Sequence, residues 1–510
     1  MEIRLERVAH RFVQRVPIHF ARRHALIGLE TSDPRVTEIA TDDPRRRAVV
    51  ENLGLTLACE VRLVLANADA IQNAINYAYQ QQNPDVQGVV NSIEAPEGVD
   101  VEAFAADADL LDNASRPPVI KLVNLMLFEA VKRRASDLHV QPLEDGVVIR
   151  LRIDGVLADY LKPGHHLHDE IVSRIKVMGG MDIAEKRLPQ DGRTTVRIGQ
   201  RLIDLRISTI PTAHGERAVL RLLDKGARLY GLTELGMSAD VLREFEALIR
   251  RSHGMILMTG PTGSGKSTTL YAALQRIDYR QLNVVTLEDP IEYHLPGISQ
   301  TQITDRKGMT FATGLRHVLR QDPDVIMIGE IRDEPTARLA IQSALTGHLV
   351  LSTLHTNDAA GAVARLLDLG IEPYLVADSL LAVGAQRLVR LICPHCKQSA
   401  DIDPVQGAQL GLNGDGQVVW EGRGCEQCGD RGYYERQGIF ELLVLDERVR
   451  DLVHQRAQVG VIRSAAVRGG MRTLRQEGVR KVLAGLTTPA EVLRATQHDH
   501  LLDTEITEEG

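Results

Sequence analysis

The feature that most constrains the fold of this chain is a glycine-rich segment that fits the pattern G-x-x-x-x-G-K-[ST]. It follows an apolar stretch at Gly254–Thr259 that is typical of a buried strand, and a helical pattern begins directly after it. In such a strand-loop-helix unit, backbone N–H groups turn toward phosphate oxygens at the helix N-terminus. Lys266 would add a positive charge, and Ser267 would offer a hydroxyl to Mg²⁺. The residues that we predict to bind the phosphates of a nucleotide are Gly260, Pro261, Thr262, Gly263, Ser264, Gly265, Lys266, Ser267 and Thr268.

Two further apolar runs predict acidic groups near this loop. The run Val325–Ile328 begins after Asp324 and leads to Glu330. Open parallel sheets bind ligands at the carboxyl ends of their strands, so Glu330 is the better candidate for the Mg²⁺ side, with Asp324 left open as the alternative. The run Val284–Leu287 leads into a second acidic group, one member of which should handle the attacking water: Glu288, Asp289 and Glu292.

Histidines flank a fourth run, Leu349–Thr353, with His348 before it and His355 shortly after it. Either imidazole could contact a γ-phosphate from the sheet edge. A single histidine in a sequence is more often structural than catalytic, so the residues alone leave both roles open.

The length and the charge of the chain limit its class. At 510 residues it is too long for one ordinary hydrophobic core, which predicts two to four domains. The net charge of −8 and the 4% of aromatic residues disfavour a nucleic-acid partner. No stretch approaches the roughly 18 apolar residues that a membrane span needs, so we expect membrane contact only through a partner.

The pattern of charges predicts the domain organisation. No Lys or Arg occurs between Arg62 and Arg116, and acidic residues crowd the second half of that interval. We therefore expect an acidic, flexible linker there, because such segments bury too little apolar surface to fold. The predicted order is an N-terminal domain at 1–83, the linker at 84–116, an α+β domain at 117–223, a second linker at 224–234, a parallel-sheet core at 235–390, a cysteine module at 391–440 and a helical region at 441–510.

Four of the five cysteines form two Cys-x-x-Cys pairs that are separated by the interval 397–424. Two such pairs suit tetrahedral Zn²⁺, whereas a thioredoxin-like redox site needs only one pair. A closed four-sulfur site has no position for water, so its role would be in folding or docking. The predicted Zn²⁺ ligands are Cys393, Cys396, Cys425 and Cys428, and the remaining Cys59 lies in an apolar context.

Taken together, these segments resemble the secretion ATPases that serve type II secretion and type IV pilus assembly. The matching segments are Thr286–Tyr293 (Asp box), Leu319–Asp324 with Ile328–Asp333 (Walker B) and Leu345–Asn357 (His box). The resemblance covers at least residues 117–500. It implies an α/β fold with a RecA-like P-loop NTPase core, preceded by a PAS-like α+β domain and a small N-terminal domain, with a zinc-binding insertion. It also implies ATP as the nucleotide, Glu292 as the general base and His355 close to the γ-phosphate.

The resemblance extends to the α+β region, where Ser136–His139, Asp191–Arg193 and the arginines that follow are similar to the PAS-like domain of this family. Family members draw guanidinium groups from that domain as it closes on nucleotide, and such groups neutralise charge in phosphoryl transfer. Arg206 and Arg221 match those positions. The resemblance further implies a homo-hexamer with its sites at the boundary between the PAS-like domain and the motor core.

The N-terminal region separates the branches of the family. The segment Val16–His24 looks like the opening of a secretion-type N-terminal domain, which docks on a membrane-anchored partner. The expected function is a cytoplasmic ATPase, peripheral on the inner membrane, that drives pseudopilus assembly and export in type II secretion. An inner-membrane platform protein would be its second partner.

Three alternatives stay open at this point. A type IV pilus assembly ATPase shares every motif quoted above. A DNA-uptake or conjugation motor is disfavoured by the net charge. A regulator that binds ATP without turnover is disfavoured because Lys266, Glu292 and Glu330 are all present.

Overall fold

The structure is a computed structural model that describes residues 3, 5–16, 18–31, 33–81, 118–198, 201–224, 230–304, 308–412 and 418–497. The chain divides into two compact units, Met1–Ala227 and Arg228–Gly510. The linker expected at 84–116 lies outside the described residues. Across the ranges that are described, no helix is long and apolar enough to cross a membrane.

The N-terminal part of the first unit contains a three-stranded sheet in the order β1-β2-β3, in which β1 and β2 are antiparallel and β2 and β3 are parallel. The amphipathic pattern at 68–80 predicts a helix, and the structure confirms it as a helix that buries Ile71, Ala74, Ile75 and Ala78. The elements are α1 His10–Arg15, α2 Ile18–Arg23, β1 Leu26–Glu30, β2 Val36–Thr41, α3 Arg47–Leu57, β3 Glu60–Leu65 and α4 Ala68–Gln81.

The same unit contains a six-stranded antiparallel sheet in the order β6-β5-β4-β9-β8-β7. Its strands alternate between buried apolar and partly exposed residues, as expected when one face of a sheet packs on a core. The helix that follows Pro117 packs against that core through Leu122, Val123 and Met126. The elements are α5 Pro118–Lys132, β4 Ala135–Leu143, β5 Gly146–Ile153, β6 Val156–Leu161, α6 His168–Gly179, β7 Gln190–Ile198, β8 Arg201–Thr212 and β9 Gly215–Asp224.

The second unit is built on a seven-stranded sheet in the order β12-β11-β13-β14-β10-β15-β18. All of its strand pairs are parallel except β15 with β18. Both faces are covered, because alternate residues of the central strand β10 enter two separate hydrophobic cores. The predicted α/β fold with a parallel sheet is therefore confirmed. The strands are β10 Gly254–Thr259, β11 Val284–Glu288, β12 Ser299–Gln302, β13 Val325–Ile328, β14 Leu349–Leu354, β15 Leu380–Ile392 and β18 Tyr433–Val444.

Helices connect and flank these strands. The helices of the second unit are α7 Ala239–Leu248, α8 Lys266–Leu274, α9 Phe311–Val318, α10 Glu334–Leu345, α11 Ala359–Asp368, α12 Pro373–Ser379, α13 Pro404–Leu410, α14 Glu447–His454, α15 Val459–Arg468, α16 Leu474–Leu483 and α17 Pro489–Ala495.

The cysteine module is an excursion between two paired strands of the main sheet. It leaves after β15, forms the small antiparallel pair β16 (Lys397–Ala400) and β17 (Val419–Gly422), and returns as β18. The sequence-based boundary between residues 440 and 441 falls inside β18, which pairs with β15 along most of its length. The two cysteine pairs in the sequence reveal the module. They do not reveal where the chain returns to the main sheet, because β18 pairs with a strand that precedes it by some 40 residues.

The end of β15 is fixed by a buried ion pair. Glu491 in α17 accepts hydrogen bonds from Arg390 Nη2 at 2.5 Å and Arg494 Nη2 at 2.8 Å, and its side chain is 2% exposed. Despite burial, which by itself raises the pKa of a carboxyl, these hydrogen bonds lower the pKa of Glu491 to about 2. The base of the cysteine module is thereby anchored to the C-terminal helices.

Candidate active site

The glycine-rich loop joins the carboxyl end of β10 to the start of α8. Gly263 and Gly265 have φ values of 79° and 89°, which side chains rarely adopt. A Cβ on Gly260 would lie 2.5 Å from the carbonyl oxygen of Gln386, and one on Gly265 would lie 2.8 Å from Gln386 Nε2. The loop therefore needs glycine both for its turn and for its close approach to β15.

Lys266 is buried at the first position of α8. Its ammonium group donates hydrogen bonds to the carbonyl oxygens of Gly260 at 2.7 Å and Pro261 at 3.1 Å. Burial lowers the pKa of Lys266 to about 8, Glu330 opposes this decrease, and Arg387 adds to it. A desolvated cation held by neutral carbonyls is ready to exchange them for an anion.

The loop also carries an unsatisfied polar group. Ser264 is 4% exposed, and its hydroxyl has no hydrogen-bond partner among the described residues. Buried hydroxyls normally have partners, and a ligand oxygen would supply one here. The loop, Lys266 and Ser264 together fit a phosphate group.

Glu330 and His355 meet next to this loop, from the neighbouring strands β13 and β14. The distance between His355 Nε2 and Glu330 Oε2 is 3.2 Å, and Glu330 also forms an ion pair with Arg332. The Glu330 carboxylate acts electrostatically on Lys266 as well. This edge of the sheet therefore brings together Lys266, Glu330 as the predicted Mg²⁺ ligand, and His355, which is predicted to lie close to the γ-phosphate.

The other two candidates of the sequence, Asp324 and His348, lie at the opposite edge of the sheet. Asp324 Oδ2 accepts a hydrogen bond from the backbone N–H of Asn283 at 2.7 Å, just before β11 begins. His348 Nδ1 lies 2.9 Å from the carbonyl oxygen of Ser343, just before β14 begins. Both side chains form hydrogen bonds at the point where a strand begins. They therefore lie at the other end of the sheet from Glu330, His355 and the glycine-rich loop.

The acidic group after β11 divides into a buried and an accessible part. Glu288 is 3% exposed and accepts hydrogen bonds from Tyr271, Thr286 and Gln300. Asp289 is exposed, and Glu292 is half-buried with its backbone N–H bonded to Tyr271. Only the two later acids are open to an attacking water.

Two residues of β15 belong to this site although sequence reasoning missed them. Gln386 Oε1 accepts a hydrogen bond from Thr269 Oγ1 of α8 at 2.8 Å. Arg387 is buried, donates to the carbonyl oxygen of Asn357 at 2.6 Å, and lies close enough to Lys266 to affect its pKa. The signal in the sequence was a Gln-Arg pair inside the apolar run Leu380–Ile392.

The structure places the predicted arginines in the first unit, on neighbouring strands of the six-stranded sheet. Arg206 in β8 lies directly opposite Arg221 in β9, and Arg193 in β7 lies opposite Arg206. Arg221 Nε donates to Asp137 Oδ1 at 2.9 Å. Directly opposed residues share a face of a sheet, so these guanidinium groups form a row across it.

The four cysteines converge on one point. Their sulfur atoms all lie within 4.8 Å of one another, although the two pairs are distant in sequence. The Sγ atoms are 3.9 Å apart between Cys393 and Cys425 and 3.7 Å apart between Cys425 and Cys428. Backbone N–H groups of Cys425 and Gly432 point at Cys428 Sγ, at 3.2 and 3.3 Å, as they do at a thiolate. The cluster can hold a metal ion.

Comparison with known proteins agrees with this geometry. The family model described as type II/IV secretion system protein matches residues 112–494, and the model of the MshEN domain matches residues 1–85. A type II secretion system protein E from Klebsiella pneumoniae is 46% identical over 488 residues, which cover 94% of this chain and 97% of that protein. The type IV pilus assembly ATPase PilB of Myxococcus xanthus is 42% identical over 496 residues, which cover 96% of this chain and 87% of that protein.

A solved structure shows the same fold. The X-ray structure of the Legionella pneumophila ATPase DotB has a TM-score of 0.55 and 20% sequence identity, and covers 76% of this chain and 98% of that chain. The family model spans most of the chain and includes the phosphate loop, the Glu330 edge and the four cysteines. The chain therefore belongs to the type II/IV secretion system protein family and is a P-loop ATPase.

Proposed function

We propose that this ATPase is the motor of a type II secretion system, in which ATP hydrolysis drives pseudopilus assembly and protein export. The observation that carries the proposal is the meeting of Lys266, Glu330 and His355 at the carboxyl edge of the sheet. The near full-length similarity to proteins named for type II secretion supports the choice of system.

Each residue at this edge of the sheet would have a separate role in ATP hydrolysis. Lys266 would leave its backbone carbonyls for the β- and γ-phosphate oxygens, and Ser264 would donate its free hydroxyl to them. Ser267 and Glu330 would hold Mg²⁺, which neutralises charge on those oxygens when it is bound. Glu292 would orient the attacking water and accept its proton, and His355 would contact the γ-phosphate. Arg206 and Arg221 would supply further positive charge to the nucleotide.

We further propose that the cysteine cluster holds one structural Zn²⁺. Tetrahedral geometry with Zn–S bonds of about 2.3 Å requires sulfur atoms about 3.8 Å apart, which is close to the separations found here. All four sulfurs would be ligands, so such an ion would have no open position for water and would stabilise the module.

We propose a homo-hexamer in the cytoplasm, peripheral on the inner membrane, whose N-terminal domain at 1–83 docks on a membrane-anchored secretion-system protein. An inner-membrane platform protein would be the second partner of the motor. The match of an MshEN domain to residues 1–85 supports a separate role for this segment.

A type IV pilus assembly ATPase is the second candidate, since PilB of Myxococcus xanthus covers nearly the whole chain. Purification from host membranes decides between the two, because the proteins that copurify with the motor identify its system. Recovery of pilus components without secretion components would overturn the type II assignment.

The first prediction concerns the general base. Replacing Glu292 by Gln should leave ATP binding intact and lower turnover roughly 100-fold or more, since a positioned base contributes on this scale. Steady-state ATPase assays and nucleotide titration measure the two effects. Asp289→Asn is the matched variant, because Asp289 is the other accessible acid of the group. If Asp289→Asn loses the activity and Glu292→Gln keeps it, the base is Asp289.

The second prediction is a pH dependence of nucleotide affinity. Phosphate binding requires charged Lys266, whose pKa in the free protein is about 8. Affinity for ATP should be constant below that pH and fall by up to about tenfold for each pH unit above it, until the higher pKa of the bound state is reached. Isothermal titration between pH 7 and 9.5 measures this dependence.

The control for that pH dependence is a second buried lysine. Lys481, whose pKa is also lowered to about 8, donates to Gln437 at 2.8 Å, remote in the chain from the loop. Lys481→Arg should keep the pH dependence of the native protein. Affinity that stays constant to pH 9.5 in the native protein would contradict the role assigned to Lys266.

The third prediction concerns the metal. Protein purified without chelator should contain about one zinc per chain, and Cys425→Ser should lose it, because three thiolates rarely hold a structural site. Elemental analysis measures the content. Cys59→Ser is the control, since Cys59 lies in the first unit and should leave the zinc in place. Native protein without metal would refute the assignment.

The fourth prediction concerns docking. Deleting residues 1–83 should preserve ATP binding but abolish cosedimentation with membranes that contain the cognate partner. Full-length Lys266→Ala is the control, since it should bind nucleotide poorly yet still cosediment. A truncated chain that still reaches the membrane would place docking elsewhere.

A further inference from the structure

The hydroxyl of Tyr271 connects two acids of the Asp box. Tyr271 lies in α8, the helix that begins at Lys266, and its side chain is 1% exposed. The hydroxyl donates a hydrogen bond to Glu288 Oε2 and accepts one from the backbone N–H of Glu292 at 3.2 Å. A phenol has one proton to donate and can also accept, so this hydroxyl makes both kinds of contact at once.

Glu288 is the fixed point of this arrangement. Its buried carboxylate accepts hydrogen bonds from Tyr271 Oη in α8, Thr286 Oγ1 in β11 and Gln300 Nε2 in β12, the last at 3.0 Å. Burial of a carboxylate costs free energy unless such donors surround it. Loss of any one donor therefore destabilises the folded protein by part of that free energy. Because the donors come from three elements, the carboxylate holds them in one relative position.

The segment that carries Glu292 is tied to the same point from its other side. Gln300 Nε2 donates to the carbonyl oxygen of Tyr293 at 2.9 Å, and Gln300 Oε1 accepts from the backbone N–H of Leu295 at 2.7 Å. The rings of Tyr271 and Tyr293 meet edge to face with centroids 5.9 Å apart. The backbone is thus held at Glu292 and at the residues that follow it, whereas the Glu292 side chain extends from a half-buried position.

The Tyr271 hydroxyl keeps its proton across the neutral pH range. Burial, together with the hydrogen bond to Glu288, raises the pKa of Tyr271 well above its ordinary value. The hydroxyl therefore remains a donor to Glu288 throughout the neutral range.

We propose that Tyr271 is a positioning residue for ATP hydrolysis: it fixes the backbone of Glu292 relative to the phosphate loop. This inference rests on the proposed role of Glu292 as the base. Lys266 and Tyr271 lie five residues apart on one helix, so the group that binds phosphate and the group that holds the base belong to one rigid element. A misplacement of the base by about 1 Å can cost roughly 100-fold in rate, which is why such a tether matters.

The primary test is Tyr271→Phe, which removes the hydroxyl and keeps the ring. The turnover number should fall roughly 10-fold to 100-fold, while the KM and the dissociation constant for ATP stay within about twofold, because the phosphate loop is unchanged. A loss of ATP affinity as large as the loss of turnover would overturn the proposal, since it would indicate a general disturbance of α8.

Two variants serve as controls. Thr286→Val removes another donor to Glu288 but leaves the link between Tyr271 and Glu292 in place, so its turnover should remain within about threefold of native. If it loses as much turnover as Tyr271→Phe, the hydroxyl acts only by satisfying the buried carboxylate and the proposal fails. Tyr374→Phe makes the same substitution at an exposed tyrosine in α12 and should have no effect.

A double-mutant cycle tests whether Tyr271 acts through Glu292. In the Glu292→Gln background, Tyr271→Phe should change turnover by less than about threefold, because the base that it positions is already absent. A Tyr271→Phe loss that persists undiminished in this background would show that the residue acts independently of Glu292. Near-normal turnover in Glu292→Gln alone would overturn the base assignment and this inference together. Full activity of Tyr271→Phe beside an impaired Glu292→Gln would overturn the positioning role alone.

Stability is checked by thermal unfolding of the full chain. If Tyr271→Phe does not fold, Tyr271→Phe combined with Glu288→Gln replaces it, since the amide removes the buried charge that has lost a donor. Glu288→Gln alone is then the reference, and the same loss of turnover at constant affinity is expected between the two. Equal turnover in both would overturn the proposal.

Discussion

The site depends on the register of the parallel sheet. Thr259 at the end of β10 pairs with Leu354 in β14 and with Ala385 in β15, so the residues that follow on each strand emerge at the same level. Those residues are Gly260, His355 and Gln386. A shift of one residue in any of these pairings would turn the functional side chains to the other face, because side chains alternate along a strand. Two hydrophobic cores, one on each face, prevent such a shift.

At this edge of the sheet, the charge of Lys266 would decide whether the loop can bind an anion. Removing an ammonium group from water is costly, and two carbonyl oxygens compensate for this only in part. Glu330 lies near enough to favour the charged form, but its own carboxylate is already paired with Arg332 and His355. A polyanionic ligand would satisfy Lys266 and Ser264 together. Binding of a phosphate group would therefore complete the hydrogen bonds of the free loop.

Both ends of the cysteine module continue into strands of the seven-stranded sheet. It departs from β15 and returns through β18, and these strands pair with each other. The backbone N–H of Ile392 donates to Leu486 at 2.9 Å, and Thr487 donates to the carbonyl oxygen of Arg390 at 2.7 Å. Because β15 also carries Gln386 and Arg387, one strand connects the phosphate loop, the module and the C-terminal helices.

Much of this was determined by the sequence alone. The glycine-rich loop, the apolar runs that became β10, β11, β13 and β14, and the two cysteine pairs are local patterns, each with a direct physical meaning. The sequence could also order the candidates Asp324 and Glu330, since the direction of a parallel strand decides which end faces the ligand. Tertiary structure decided the rest, because it depends on contacts between distant segments. The pairing of β15 with β18, the entry of Arg387 into the site and the hydrogen bonds that join Tyr271, Glu288 and Gln300 leave no periodic trace in the sequence. Tyr271 illustrates the reason: in its helix it is one more apolar position, and only the folded structure shows that its hydroxyl meets the Glu288 carboxylate of β11 and the backbone N–H of Glu292 in the segment after that strand.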